Sequence, residues 1–153
     1  MSGINRWGTP TWIFFHTFAE RINKDFFEAN RDQCLSIIKL SCGCLPCPHC
    51  TEHAKIFMNS VNGTTVRTKE ELIDMLFTFH NLVNRRIGKE QYNRENLKIY
   101  RNYRMDATFI NYLNGYSGKY GSIMSGIIST LGKRRVIAKS IQTWMRDNWS
   151  HFN

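Results

Sequence analysis

Apolar residues recur every three or four positions along most of this 153-residue chain, which is the spacing of amphipathic helices. The sequence contains no run of alternating apolar and polar residues that would indicate strands. We therefore predict an all-α fold. Five helices are expected over residues 11–26, 32–41, 48–58, 68–88 and 93–103.

Local signals set several of these boundaries. Pro48 suits the first turn of the third helix, where a missing backbone N–H costs no hydrogen bond. Thr68 and Glu71 have the spacing of a capping box that opens the fourth helix. The apolar stripe of that helix continues to Ile87, and Gly88 follows it as a typical helix end.

The chain changes character after residue 106. A weakly apolar stretch is interrupted by glycines at positions 115, 118, 121, 126 and 132. An amphipathic helix then returns over residues 133–149. We expect a helical domain over residues 1–103 and a helical C-terminal extension over residues 104–153.

Composition limits the kind of protein this is. With 42% apolar and 22% charged residues, the chain has enough apolar residues to form a hydrophobic core without disulfide bonds. No apolar run is long enough to cross a membrane, and the N-terminus lacks the pattern of a signal peptide. We therefore expect a cytoplasmic location, where clustered cysteines are more often metal ligands or redox groups than structural disulfides.

The net charge of +9 is concentrated at the C-terminal end. Residues 101–153 carry eight Lys/Arg and two acidic residues, a balance of +6. We interpret this charge mainly as the solvated face of an added helix, with an acidic partner or an anionic membrane surface as alternatives. No module that reads bases is recognisable, so specific nucleic-acid recognition is not expected.

Four of the five cysteines lie within nine positions, at 42, 44, 47 and 50. Together with His49 and His53 they supply enough donors for a tetrahedral zinc site. Structural zinc sites usually take two ligand pairs about a dozen residues apart, whereas these sulfurs all lie in one short segment. A zinc-stabilised basic binding protein without enzymatic activity is therefore one hypothesis, and redox catalysis is the other.

The C-P-H-C tetrapeptide at 47–50 opens a predicted helix, and helix N-termini suit reactive thiols. A thioredoxin-like fold is excluded, because it needs βαβ units and a later cis-proline, and no proline follows position 48. A redox-active helical bundle would instead need an electron acceptor such as an isoalloxazine ring. Two pairs with helical spacing could hold one: Trp12 with His16, and His80 with Asn84.

Three short motifs stand in order along the chain. They are W-G-T-P-T-W-x-x-x-H at 7–16, P-C-x-x-C at 46–50 and H-N-x-V-N-R-R-I-G-K at 80–89. In order and separation they resemble the Erv/ALR family of FAD-linked sulfhydryl oxidases, and the resemblance covers about residues 7–103. It implies a bundle of four helices plus a short fifth, with FAD held at its mouth.

The resemblance also implies which residues touch FAD. In the family's pattern the first helix meets the nucleotide portion, the fourth helix lines the adenine and ribose, and a lysine meets the phosphates. The matching residues are Gly8, Trp12, His16, His53, His80, Asn81, Val83, Asn84, Lys89 and Tyr100. Tyr100 stands where the family usually has a tryptophan, and His53 where many members have an acidic or amide residue.

A mechanism at Cys47 and Cys50 follows from the same resemblance. Substrate thiols attack Cys47 of a Cys47–Cys50 disulfide, and Cys50, which lies against the flavin in the family, passes two electrons on. Oxygen takes them and becomes hydrogen peroxide. The expected partners are protein thiols, with a small thiol relay protein among them, and a second copy of the chain in a homodimer.

The chain departs from the cellular members of the family. No cysteine follows Cys50 to form their usual second disulfide, no long cysteine-bearing tail precedes the first motif, and a basic extension is added. This combination most resembles the forms encoded by large DNA viruses, which act in the host cytoplasm or the virion. We expect Cys34 to be a buried, inert thiol. Cys42 and Cys44 are either a relay that feeds Cys47, or thiols that stay free or pair with a second subunit.

Overall fold

The computed structural model describes residues 3–118 and 130–152. Within these ranges the chain forms α-helices, 3-10 helices and loops but no β-strand, so the predicted all-α class is confirmed. The 3-10 helices span Arg94–Asn102 and Trp149–His151. The α-helices are α1 (Gly3–Arg21), α2 (Lys24–Ala29), α3 (Arg31–Cys42), α4 (Pro48–Met58), α5 (Lys69–Arg86), α6 (Met105–Tyr116) and α7 (Leu131–Asp147).

Helix α1 departs from its predicted start. It begins at Gly3 rather than near Thr11 and continues through Pro10, which has no N–H to donate to the carbonyl of Arg6. The additional turns bury Trp7 in the apolar core. Burial of so large an aromatic side chain offsets the roughly 3 kcal/mol that an interior proline costs.

The predicted end of the first helix was also wrong. The helix stops at Arg21, and a separate short helix, α2, follows. Asn23 causes the break: its side-chain oxygen accepts the backbone N–H of Phe26 at 2.9 Å and caps α2. The backbone N–H of Asn23 donates to the carbonyl of His151 at 2.7 Å, which ties this corner to the C-terminal end of the chain.

Helices α3, α4 and α5 lie within two residues of their predicted bounds. Pro48 occupies the first turn of α4, as predicted. The backbone N–H of Glu71 donates to Thr68 Oγ1 at 3.1 Å, so Thr68 caps α5. The Glu71 carboxylate accepts from the backbone N–H of Arg67 instead of that of Thr68. Gly88 follows α5 with a φ of 75°, a conformation that strains other residues.

The predicted fifth helix is the 3-10 helix Arg94–Asn102. Arg101 fastens it to α1, because its Nε donates to the buried carboxylate of Glu20 at 2.9 Å. The carbonyl of Arg101 in turn accepts from Arg21 Nη1 at 2.9 Å. These bonds hold the buried Tyr100 beside α1.

Helix α6 was not predicted, and among the described elements it packs most extensively on α1. Its Tyr112 ring stacks on Phe14, with centroids 4.4 Å apart. A Cβ atom on Gly115 would lie 2.6 Å from the carbonyl oxygen of Arg6, so only glycine fits that approach. The glycines at 121 and 126, which mark the same stretch of sequence, lie outside the described residues.

Helix α7 confirms the predicted amphipathic helix, starting two residues earlier. Its basic residues are solvated with one exception, since Arg134 is fully buried and donates from Nε to the carbonyl of Tyr116 at 2.7 Å. The prediction of a simple solvated basic face was therefore wrong for Arg134.

Among the described residues, one apolar core includes side chains from both parts of the chain. It includes residues of α1, α3 and α5 and also residues beyond the predicted boundary at 103, such as Phe109, Tyr112, Ile141 and Met145. Along the described residues, no helix combines the length and the apolar character needed to cross a bilayer.

Candidate active site

Cys47 and Cys50 stand at the N-terminus of α4. Cys47 is the N-cap residue, and its Sγ accepts the backbone N–H of Cys50 at 3.2 Å. Both are free thiols with Sγ atoms 2.6 Å apart, close enough to form a disulfide with little movement. Thr51 holds the preceding loop, because its hydroxyl accepts the N–H of Leu45 at 2.8 Å and donates to the carbonyl of Cys47 at 3.1 Å.

The two sulfurs have different surroundings. Burial raises the pKa of the Cys50 thiol to about 12, and the hydrogen bond and charge of Cys47 add to the shift, while the positive charge of Arg86 opposes it. In the dithiol state Cys50 therefore keeps its proton and donates its S–H to Cys47 Sγ. Cys50 lines an internal cavity, whereas Cys47 is not among the cavity's lining residues.

That cavity, of about 440 Å³, lies between α1, α4, α5 and the 3-10 helix Arg94–Asn102. Aromatic and aliphatic side chains form most of its wall, with a few polar groups among them. It brings together eight of the residues singled out from the sequence: Gly8, Trp12, Cys50, His80, Val83, Asn84, Lys89 and Tyr100.

Three further residues predicted to touch a cofactor do not line the cavity. His16 is buried behind it, and Asn81 turns to the loop after α5, where its amide bonds both the N–H and the carbonyl of Tyr92 at 2.7 and 3.1 Å. His53 faces outward and pairs with His49. A cofactor contact by these three stays a prediction from the resemblance.

A layer of stacked rings forms one side of the cavity. Trp12 and His80 stack with centroids 4.0 Å apart and an interplanar angle of 8°. Behind them His16 Nε2 lies 2.9 Å from His80 Nδ1. The His16 ring also stacks on Tyr100, with centroids 4.8 Å apart. Burial lowers the pKa of His16 to about 3, with a further contribution from His80. Burial and the charge of Lys89 lower the pKa of His80 to about 4, so both rings are neutral near pH 7.

Several lining residues were missed from the sequence. Arg86 was missed although it lies three positions after Val83, on the same side of α5, so helical spacing could have found it. Ile87 was predicted to continue the buried stripe but is 44% exposed and lines the cavity mouth. Cys42, the last residue of α3, was considered from the sequence together with Cys44 as a relay to Cys47; it lines the cavity, whereas Cys44 does not.

The other three cysteines are free and buried. Cys34 is fully inaccessible, and burial raises the pKa of its thiol and of the Cys42 thiol to about 12 each. Cys44 lies close enough to Tyr116 and Arg134 to interact electrostatically with both. The residues that the structure describes contain no group of three or more His, Cys, Asp or Glu side chains placed to hold a metal ion.

Comparison with known protein families matches residues 9–104 to the Erv1/Alr family. The chain belongs to the Erv1/Alr family. It is 30% identical over 87 residues to the mitochondrial FAD-linked sulfhydryl oxidase erv1 of Schizosaccharomyces pombe. These aligned residues cover 56% of this chain and 48% of that relative. It is 29% identical over 82 residues to the FAD-linked sulfhydryl oxidase ERV1 of Arabidopsis thaliana. These aligned residues cover 54% of this chain and 42% of that relative.

This Erv1/Alr family member therefore spans less than half the length of these two relatives. No solved structure gave a significant match to the chain.

The cavity has the chemistry that FAD requires. The side chain of Asn84 is buried against the cavity and makes no hydrogen bond with the described part of the chain, so a donor and an acceptor are free for a ligand. The aromatic rings of Trp12, His80 and Tyr100 in the cavity wall suit a planar group. Lys89 at the same cavity offers a cation to phosphates. Cys50 adds a thiol to the wall of the same cavity.

Proposed function

We propose that this Erv1/Alr family member is a FAD-dependent thiol oxidase that forms disulfide bonds in other proteins. One observation carries the proposal: Cys50 lines the cavity and its partner Cys47, 2.6 Å away, does not. The pair can therefore receive electrons at Cys47 from outside and deliver them at Cys50 to a group bound inside. The two relatives named as FAD-linked sulfhydryl oxidases support the same activity.

In the proposed reaction the oxidised enzyme holds a Cys47–Cys50 disulfide. A substrate thiolate attacks Cys47 Sγ, the Cys47–Cys50 bond breaks, and Cys50 leaves as a thiolate. A second substrate thiolate attacks the mixed disulfide at the substrate sulfur, which breaks the bond to Cys47 and releases the substrate disulfide. The Cys47 and Cys50 thiolates then take up two protons, equal in number to those that the substrate thiols gave up to water. Two electrons and two protons have then passed from the substrate to the pair.

The enzyme must next lose those two electrons. FAD, when bound, would supply a two-electron acceptor and pass the electrons on to oxygen, for the overall reaction 2 R–SH + O2 → R–S–S–R + H2O2. Trp12, His80 and Tyr100 would hold its ring systems, and Lys89 its phosphates. Arg86 lies near enough to Cys50 to stabilise negative charge on that sulfur while the disulfide re-forms.

The visible absorption spectrum of the purified protein tests this proposal. We expect a bound flavin that is bleached by dithiothreitol without oxygen and recovers in air, with one hydrogen peroxide formed per disulfide. The Cys47→Ser variant should keep the flavin but lose bleaching by the dithiol. A protein that binds no flavin even after FAD is added would overturn the proposal. The zinc-stabilised binding protein gains no support from the described residues, which hold no cluster of three or more donors.

We also propose that the chain forms a homodimer and that its substrates are protein thiols. Helix α6 covers one side of α1 through the stack of Tyr112 on Phe14 and the close approach of Gly115 to Arg6. A second copy that packed on α1 would therefore have to meet another face of that helix or displace α6. Light scattering on the purified chain distinguishes a dimer from a monomer.

A further inference from the structure

His49 and His53 form a pair on the outer surface of α4. They are one helical turn apart, and His53 Nε2 lies 3.2 Å from His49 Nε2. The rings meet edge to face, with centroids 4.5 Å apart and an interplanar angle of 85°. His49 is exposed and His53 is half-buried, and neither lines the internal cavity. The proposed oxidase reaction uses neither side chain, and the FAD contact that the resemblance predicts for His53 is not made at the cavity wall.

The spacing of the two nitrogens fits a shared metal ion. Imidazole nitrogen binds zinc and similar ions at about 2.0–2.1 Å, so nitrogens 3.2 Å apart on one ion correspond to an N–metal–N angle of about 100°. That angle lies between the values for neighbouring ligands of an octahedral and of a tetrahedral ion. The two Nε2 atoms are hydrogen-bond partners, so an ion that binds both takes the place of the proton that they now share.

The charges around the pair act in both directions. Arg86 on α5 repels a cation, whereas Glu52 on α4 attracts one. With no third donor placed to join the pair among the described residues, the remaining positions on the ion are left to water or an incoming ligand.

We propose that His49 and His53 bind an exchangeable divalent transition-metal ion on the face of α4 next to the redox pair. Two imidazole ligands suit Cu²⁺, Ni²⁺ or Zn²⁺ rather than Mg²⁺ or Ca²⁺. The site differs from the structural zinc site considered from the sequence, because it uses no cysteine and leaves coordination positions open. The proposal does not depend on the thiol oxidase activity.

Titration of the air-oxidised protein with Ni²⁺, followed by calorimetry, tests the proposal. Ni²⁺ suits imidazole ligands, and the oxidised state removes the Cys47 and Cys50 thiols as competing ligands. We expect one ion per chain, with an affinity at least tenfold weaker in His49→Ala and in His53→Ala. His151→Ala is the matched control, because His151 stacks on Phe26 and not on another histidine, and it should bind like the wild type.

Thermal unfolding provides a second readout. An ion that joins residues one turn apart holds α4 in its helical form, so Ni²⁺ should raise the unfolding temperature of the wild type and of His151→Ala but not of the two site variants. The Cys47→Ser/Cys50→Ser double variant should keep the binding. Absence of saturable binding by the wild type, equal affinity in the His49 and His53 variants, or loss of binding in the double cysteine variant would each overturn the proposal.

Discussion

His16 Nε2 lies 2.9 Å from His80 Nδ1, and this contact joins α1 to α5 behind the cavity wall. A hydrogen bond at that distance needs one nitrogen with a proton and one without. The lowered pKa values of both histidines keep the rings neutral near pH 7, so the bond needs matched tautomers, and protonation of the accepting nitrogen would break it. The contact thus makes the cavity sensitive to acid, since His80 also stacks on Trp12 and lines the cavity.

The free energy of unfolding should fall as the pH drops from 6.5 towards 4. The folded-state pKa values of His16 and His80 are lowered from 6.5 to about 3 and about 4, so below pH 6.5 the unfolded chain takes up protons that the folded chain does not. Each proton weakens the fold by up to about 1.4 kcal/mol per pH unit in that window. Urea unfolding of the flavin-bound protein at several pH values measures the slope. His16→Gln should show a shallower slope, and an unchanged slope would contradict the assignment.

Asn81→Ala should lower the stability of the fold, whereas Asn84→Ala should mainly weaken FAD binding. Asn81 makes two hydrogen bonds to the backbone of Tyr92, so its loss should destabilise the fold by about 1–2 kcal/mol. Asn84 makes no such bond and faces the cavity, so its loss should leave the unfolding free energy within about 1 kcal/mol and weaken FAD binding. Urea unfolding and flavin fluorescence titration separate the two effects. Equal loss of stability in both variants would show that Asn84 also serves the fold.

Much of the helical framework could be predicted because its signals are local. Pro48 and the Thr68 cap fix where α4 and α5 begin, whatever packs around them. The start of α1 was missed because the proline rule describes an isolated helix, whereas here the burial of Trp7 outweighs the bond lost at Pro10. Helix α6 carried a readable signal, since its buried residues recur at helical spacing, but its glycine and asparagines obscured it.

The residues of the candidate site could also be predicted only in part. His80 and Asn84 lie one turn apart, so a face shared by both was predictable and both line the cavity. Asn81 belongs to the same motif but points about 100° away around the helix, towards Tyr92. On α4 the residue one turn beyond Cys50 that reaches the cavity is Ala54, not its neighbour His53. Such rotations depend on how the helices pack, which a motif does not encode.

Substitution of Cys47 or Cys50 should affect thiol oxidase activity very differently from substitution of Cys34. Cys47→Ser and Cys50→Ser should each reduce kcat/KM for a dithiol to background, because either change removes the disulfide that accepts electrons. Cys34→Ala should keep full activity and lose only about 1 kcal/mol of stability, since Cys34 is fully buried and its pKa is about 12. Steady-state oxygen consumption measures activity in each variant. Substantial loss in Cys34→Ala, with the flavin still bound, would mean that the buried thiol takes part.

Gly115 links the C-terminal part of the chain to the cavity, and a single methyl group tests that link. In Gly115→Ala the new Cβ would lie 2.6 Å from the carbonyl oxygen of Arg6 and 3.0 Å from the Cα of Trp7, both backbone atoms that cannot simply rotate away. We expect a loss of about 1–3 kcal/mol in stability, and weaker flavin retention because Trp7 lines the cavity. Gly132→Ala, whose Cβ would meet nothing within 4 Å, is the control and should be neutral or stabilising. If Gly115→Ala lowers stability but leaves flavin affinity unchanged, α6 supports α1 without shaping the site.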